Sequence, residues 1–103
     1  PVKYRISGDS DNTEHHALSD NISEGGIKII CMQDISGCKG ILLNFSLPTS
    51  EGIVNISCHG KIVWFKETAN RKFCGVQFID LKDEQRSILK DFVHKILEFR
   101  GKE

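Results

Sequence analysis

The fold is decided by the stretch FCGVQFIDLKDEQRSILKDFVHKIL at residues 73–97, because the spacing of its apolar residues changes there from alternating to helical. The first part places Cys74, Val76 and Phe78 on one face, as in a half-buried strand. The second part has the spacing of an amphipathic helix, which we predict at about 82–99. The apolar residues of this predicted helix are Ile88, Leu89, Phe92, Val93, Ile96 and Leu97.

The ends of the predicted helix carry suitable capping residues. Asp80 or Asp83 can accept free amide hydrogens of the first turn, and Gly101 suits the stop. We therefore expect one of these aspartates to cap the helix. The charged face at 82–102 is predicted to be solvated.

Upstream of this stretch, apolar segments of strand length alternate with polar ones. Pro48 is predicted to end the fourth strand, and Gly60 to mark a bulge or bend in the fifth. Turns are predicted at 7–13, 33–39 and 66–70. The strands are predicted at 2–6, 15–19, 27–32, 40–47, 53–65 and 73–79.

Six strands followed by one helix favour an all-β-dominated fold, in which a six-stranded antiparallel β-barrel carries one C-terminal amphipathic α-helix. A length of 103 residues suits one domain with a modest core. We expect a single domain over 1–103, with strands at about 2–79 and the helix at about 82–99.

The composition bears on function and location. Fourteen basic and fourteen acidic residues balance, which argues against a DNA- or RNA-binding protein with a broad basic surface. No apolar run approaches the length of a membrane span, and the N-terminus lacks the pattern of a secretory signal. Cys31, Cys58 and Cys74 lie inside apolar strand patterns, so we expect buried, reduced thiols and a cytoplasmic protein.

The run DNISEGGI at residues 20–27 is the strongest candidate for a binding site. The amide of Asn21 and the hydroxyl of Ser23 can both donate and accept hydrogen bonds. Gly25 and Gly26 allow bare backbone to approach a flat or anionic ligand. The same residues also make an ordinary turn, in which Asn, Ser and Gly satisfy their own backbone.

Three stretches in this order resemble the PilZ domain, a bacterial receptor module for the second messenger cyclic di-GMP. Asn21-x-Ser23-x-x-Gly26 is similar to the family motif of Asp or Asn, x, Ser, x, x, Gly. The run GKIVW at 60–64 is similar to the family strand Gly-x-Val-Val-Trp, and GVQF at 75–78 to the family strand end Gly-Val-x-Phe. Three ordered matches are far more specific than one short motif.

The resemblance implies a non-enzymatic domain that binds cyclic di-GMP through Asn21, Ser23, Gly25 and Gly26 and acts on a protein or domain partner. The other signature of the family, Arg-x-x-x-Arg just before the first strand, does not occur in the sequence. Arg5 alternates into the first strand and has no arginine four residues away. We therefore expect weak or undetectable binding of cyclic di-GMP by this chain, with a PilZ-like protein adaptor that has lost nucleotide binding as the alternative.

Other chemistries find little support. The histidines and cysteines show no Cys-x-x-Cys or His-x-x-x-His spacing, so neither a metal site nor a cofactor is predicted. Cys58 and His59 are strand neighbours that point to opposite faces, which does not suit a nucleophile and its base. Trp64 can stack on a base, although an aromatic residue at a strand end more often packs in the core or at its rim.

Overall fold

The computed structural model describes residues 2–8, 13–32, 35 and 37–101 of the chain. It confirms the predicted fold class, since six antiparallel strands form a closed barrel and one helix follows. The strand order around the barrel is β1-β2-β3-β6-β5-β4. The elements are β1 Val2–Ile6, β2 His15–Ile22, β3 Gly26–Cys31, β4 Gly40–Thr49, β5 Gly52–Thr68, β6 Arg71–Phe78 and α1 Asp83–Gly101.

The first strand closes the barrel, because β1 pairs with β2 on one side and with β4 on the other. Val2 lies opposite both Ala17 and Phe45. The predicted turns at 7–13 and 33–39 fall partly outside the described residues.

The core fills the inside of the barrel with the alternating apolar residues of each strand. The face predicted from Cys74, Val76 and Phe78 is buried, which confirms the strand periodicity. Residues of the interior with less than 2 % exposure include Val2, Tyr4, Ile29, Ile35, Ile41, Leu43, Ile56 and Cys74.

The second and fourth strands extend beyond their predicted ends. The second strand extends to Ile22 because a register shift between Ser19 and Asn21 lets pairing with β3 continue. The fourth strand extends to Thr49, so the prediction that Pro48 ends it was wrong. Among the described residues, β1 pairs with positions 41–45 of β4, and Pro48 pairs only with Ile53 of β5. A proline, which lacks the amide hydrogen, is tolerated at such an edge position.

The irregularity in β5 also differs from the prediction. Gly60 pairs regularly with Ile41 and Phe78, and the register shifts instead between Ile62 and Trp64. Gly60 is required for another reason, because a Cβ there would overlap the Val76 side chain.

The turn predicted at 66–70 is shorter than expected. Only Ala69 and Asn70 lie between β5 and β6, and both have positive φ, 44° and 69°. This left-handed conformation at both central positions matches the twist of a two-residue hairpin, so the strands remain paired to the tip.

Neither predicted aspartate caps α1 through a side-chain hydrogen bond. The Asp80 carboxylate accepts the backbone N–H of His59, and its Oδ2 lies 2.6 Å from His59 Nδ1. These contacts hold the pKa of Asp80 below its usual value. The Gln85 side chain instead accepts the backbone N–H of Lys82 at 3.0 Å, and Asp83 is the first helical residue.

The helix packs against the barrel through part of its predicted stripe. Leu89 is fully buried, and Ile88 and Phe92 are half-buried against the core. Ile96 is also half-buried, whereas the side chain of Leu97 lies outside the described residues. In the described part of the chain, no helix combines the length and the apolarity that crossing a bilayer requires.

The cysteines give a direct check of the core. Cys31, Cys58 and Cys74 are buried and Cys38 is half-buried, and within the described residues none of the four forms a disulfide. Burial, together with the nearby charge of Asp80, raises the pKa of Cys58 to about 11, so little thiolate forms at neutral pH.

We expect Cys38 to react first with a thiol reagent in the native state, and all four cysteines to react rapidly in denaturant. Equal native rates for Cys38 and Cys58 would contradict this packing.

Candidate functional site

The turn between β2 and β3 is closed by Ser23. Its backbone N–H donates to the Gly26 carbonyl at 2.9 Å, and the Gly26 N–H donates to Ser23 Oγ at 3.2 Å. The hydroxyl also lies 3.3 Å from the Gly26 carbonyl oxygen, to which it donates. The serine therefore shapes the turn, and its remaining acceptor capacity is available to a ligand.

The two glycines of this turn have different surroundings. A Cβ at Gly26 would overlap the Val76 carbonyl oxygen, because β3 and β6 come close together there. A Cβ at Gly25 would have no heavy atom within 4 Å. Gly26 is therefore needed for strand packing, and Gly25 borders open space.

Asn21 was predicted to lie on the turn, but it lies on β2. It nevertheless lines the same groove as Ser23, Gly25 and Gly26 on the outer wall of the barrel. This outer groove has a volume of about 400 Å³, within the range of small-molecule sites. It is lined by Asn21, Ile22, Ser23, Gly25, Gly26, Ile27, Lys28, Val63, Trp64, Gly75, Val76 and Gln77.

Trp64 forms the wall of the outer groove opposite the turn. The register shift in β5 leaves Val63 and Trp64 both outside the barrel, 51 % and 43 % exposed. The indole lies over Gly75, where any Cβ would overlap it. Trp64 therefore lies outside the core, with its ring packed on Gly75 at the rim of the groove, because the bulge interrupts the strand alternation.

Lys28 is held between this wall and β2. Its Nζ lies 3.1 Å from Asp20 Oδ2, 5.0 Å from the Phe73 ring centroid and 5.9 Å from the Trp64 ring. The aromatic faces and the carboxylate both attract the ammonium group. A positive charge is thus fixed at the edge of the outer groove.

Two amide side chains face the outer groove without partners. Within the described residues, neither Asn21 nor Gln77 makes a side-chain hydrogen bond. Each can donate and accept at once, which suits the edge of a nucleobase.

A second hollow, of about 370 Å³, lies between α1 and the barrel. It shares Asn21, Ile22 and Ile27 with the outer groove. The helix also approaches the turn directly, with His94 Nε2 3.9 Å from Glu24 Oε1. The outer groove therefore lies next to α1.

Sequence reasoning missed Lys28 and Gln77 as groove residues, and it left Trp64 open between stacking on a base and packing in the core or at its rim. Strand register brings these three residues to the groove, because Lys28 and Trp64 both lie opposite Gly75 and Gln77 lies opposite Gly26. This register is not visible in a motif search, because it joins three separate segments.

Other candidate residues lie away from this groove. Arg5 belongs to β1, as predicted, and its guanidinium lies 3.5 Å from Glu14. Over the described ranges, no three His, Cys, Asp or Glu residues cluster in a way that could hold a metal ion.

The comparisons with known proteins agree with the fold. The protein-family model described as PilZ domain matches residues 1–95. A comparison with curated proteins found no match. Because the matched region covers most of the 103 residues, the chain belongs to the PilZ domain family.

Proposed function

We propose that this chain is a cyclic di-GMP receptor domain of bacterial second-messenger signalling and that its outer groove holds a guanine of the ligand. PilZ domains are in general non-enzymatic binding modules for cyclic di-GMP or proteins. One observation carries the proposal: Asn21, Ser23, Gly25 and Gly26 line one groove together with the exposed Trp64 ring.

The chemistry of the groove fits a guanine. The edge of a guanine carries the acceptors O6 and N7 together with amino and imino donors. The side-chain amides of Asn21 and Gln77, which have no partner among the described residues, can bond to both the acceptors and the donors. The open space beside Gly25 leaves room for a flat ring. The Trp64 face supports stacking, which contributes about 1–3 kcal/mol per base in nucleic-acid complexes.

Affinity is expected to be low in this chain. The 103 residues contain no Arg-x-x-x-Arg pair, which in the family grips the phosphates and guanines. Since each tenfold loss in affinity corresponds to about 1.4 kcal/mol, two missing charge-assisted contacts raise the Kd strongly.

The test is a titration with cyclic di-GMP followed by NMR, which detects weak binding. We expect the Gly25 and Gly26 amide signals to shift, and Asn21→Ala and Ser23→Ala to weaken the response. Asn44→Ala is the matched control, since Asn44 is an exposed strand amide outside the outer groove.

A longer form with Arg-x-x-x-Arg placed before Val2 should bind more tightly, as calorimetry can show. If this form does not bind either, the receptor proposal is wrong.

The adaptor alternative is favoured by a different surface. Leu18 lies opposite Ile30, which lies opposite Phe73, so the three form an apolar row across the outside of the barrel. Leu18 is 60 % exposed, and apolar residues that lie together at a surface can mark a protein contact. If cyclic di-GMP gives no shifts, this row becomes the first surface to test for protein contacts.

We further propose that residues 1–103 act as one domain and that it works in the cytoplasm. Leu89 of α1 is buried in the same core as the strands, which supports a single unit. Cys31 and Cys58 are buried thiols of this core, as expected in a reducing compartment.

A further inference from the structure

We propose that Lys28 is the phosphate-binding cation of the outer groove in this chain. This inference rests on the proposed function, because it assigns a role in binding cyclic di-GMP. The Asn-x-Ser-x-x-Gly motif does not include Lys28, and the ligand contact assigned to it is with the phosphate, not the base.

The first support is placement. Lys28 follows Gly26 by two positions on β3, so its side chain leaves the same outer face. Among the described residues that line the outer groove, it carries the single positive charge, and no carboxylate lines the groove with it. An anionic ligand seated in this groove therefore meets Lys28 as the cation of the lining.

The second support is confinement. The backbone of Lys28 is held on both sides, opposite Asn21 of β2 and Gly75 of β6. Its ammonium lies against the Phe73 and Trp64 rings. A lysine restrained in this way has fewer arrangements to lose when it binds a phosphate than one that extends into solvent.

The third support is that the ion pair between Lys28 and Asp20 is weak. Lys28 and Asp20 are each 40 % exposed, and pairs this exposed to water contribute little to stability. A phosphate can therefore replace Asp20 as partner of Lys28 without breaking a buried contact. The geometry points to an exchange in which Lys28 turns from Asp20 to the ligand.

The test compares Lys28→Met and Lys28→Arg in the full chain by NMR titration with cyclic di-GMP. We expect Lys28→Met to raise the Kd about tenfold and Lys28→Arg to retain most of the affinity, because the charge is kept. The wild-type Kd should rise with NaCl concentration, and this dependence should be smaller in Lys28→Met. A purely structural role would not change the salt dependence.

Lys3→Met is the matched control. Lys3 is also an exposed strand lysine beside a carboxylate, 4.0 Å from Glu14, but it lies outside the outer groove. It should leave the Kd unchanged. Asp20→Asn should lower the Kd in the wild-type background and have a smaller effect in the Lys28→Met background, since the lysine that it releases is then absent.

The outcomes separate the two proposals. If Asn21→Ala weakens binding while Lys28→Met binds like the wild type with the same salt dependence, the Lys28 assignment is wrong and the receptor proposal stands. If the wild type gives no shifts at Gly25 and Gly26 but the form with Arg-x-x-x-Arg before Val2 binds, the Lys28 assignment is wrong and the receptor proposal stands. If neither form gives shifts, both are wrong.

Discussion

Leu89→Ala is expected to lower the free energy of unfolding by about 3 kcal/mol, within the 2–5 kcal/mol range for buried leucines. Leu89 of α1 is fully buried and belongs to the same core cluster as the apolar residues of the strands. The substitution removes its transfer free energy and leaves a cavity between helix and strands. Denaturant unfolding followed by circular dichroism measures the effect.

Lys90→Ala is the control for Leu89→Ala, because Lys90 is the next helical residue and is exposed. Helix propensity changes little between lysine and alanine, so the midpoint should stay nearly constant. Phe92→Ala should have a smaller effect than Leu89→Ala, since Phe92 is only half-buried. An unchanged midpoint for Leu89→Ala would show that α1 does not contribute to the cooperative core.

Gly26→Val is expected to lower the free energy of unfolding by about 3 kcal/mol and to abolish ligand binding. The new side chain would overlap the backbone carbonyl of Val76, so β3 and β6 must separate where they form the floor of the outer groove. Backbone cannot move aside as a flexible side chain can. Thermal unfolding and the NMR titration report the two effects separately.

Gly25→Ala is the matched control within the same turn. A Cβ at Gly25 meets nothing within 4 Å, so stability should change by only about 0.5 kcal/mol, as at ordinary surface positions. If Gly26→Val proves as stable as Gly25→Ala, the close approach of β3 to β6 is wrong.

Much of the fold could be predicted because the interior of a small barrel imposes strict alternation. The inward faces of β3 and β6 were identified from single apolar residues, such as Ile29 and Val76. The errors arise where a neighbouring strand decides the outcome. Pro48 is tolerated because, among the described residues, β1 pairs only with positions 41–45 of β4, and no property of residues near 48 reveals that.

The helix start shows the same limit. Asp80 has the right type and position for a cap, but His59 competes for its carboxylate from a strand 21 residues away. Local preference predicted the helix, but the tertiary contact with His59 occupies Asp80, and the Gln85 side chain accepts the Lys82 N–H in the first turn.

The candidate site was only partly predictable. Asn21, Ser23, Gly25 and Gly26 lie within six consecutive positions, so a motif identifies them. Trp64 and Gln77 reach the same groove only through the pairing of β5, β6 and β3, and a one-residue bulge decides the side on which Trp64 lies. Such a bulge has no reliable sequence signature at a position between apolar residues.

Because β1 closes the barrel, its loss would open the sheet and change how the protein unfolds. The five residues of β1 cover the hydrogen-bonding edges of both β2 and β4. Loss of β1 by cleavage or deletion would expose two rows of unpaired amide and carbonyl groups and remove Val2 and Tyr4 from the interior. Exposed strand edges recruit strands from other molecules. Damage at this end of the chain should therefore lead to aggregation before it leads to a soluble unfolded protein.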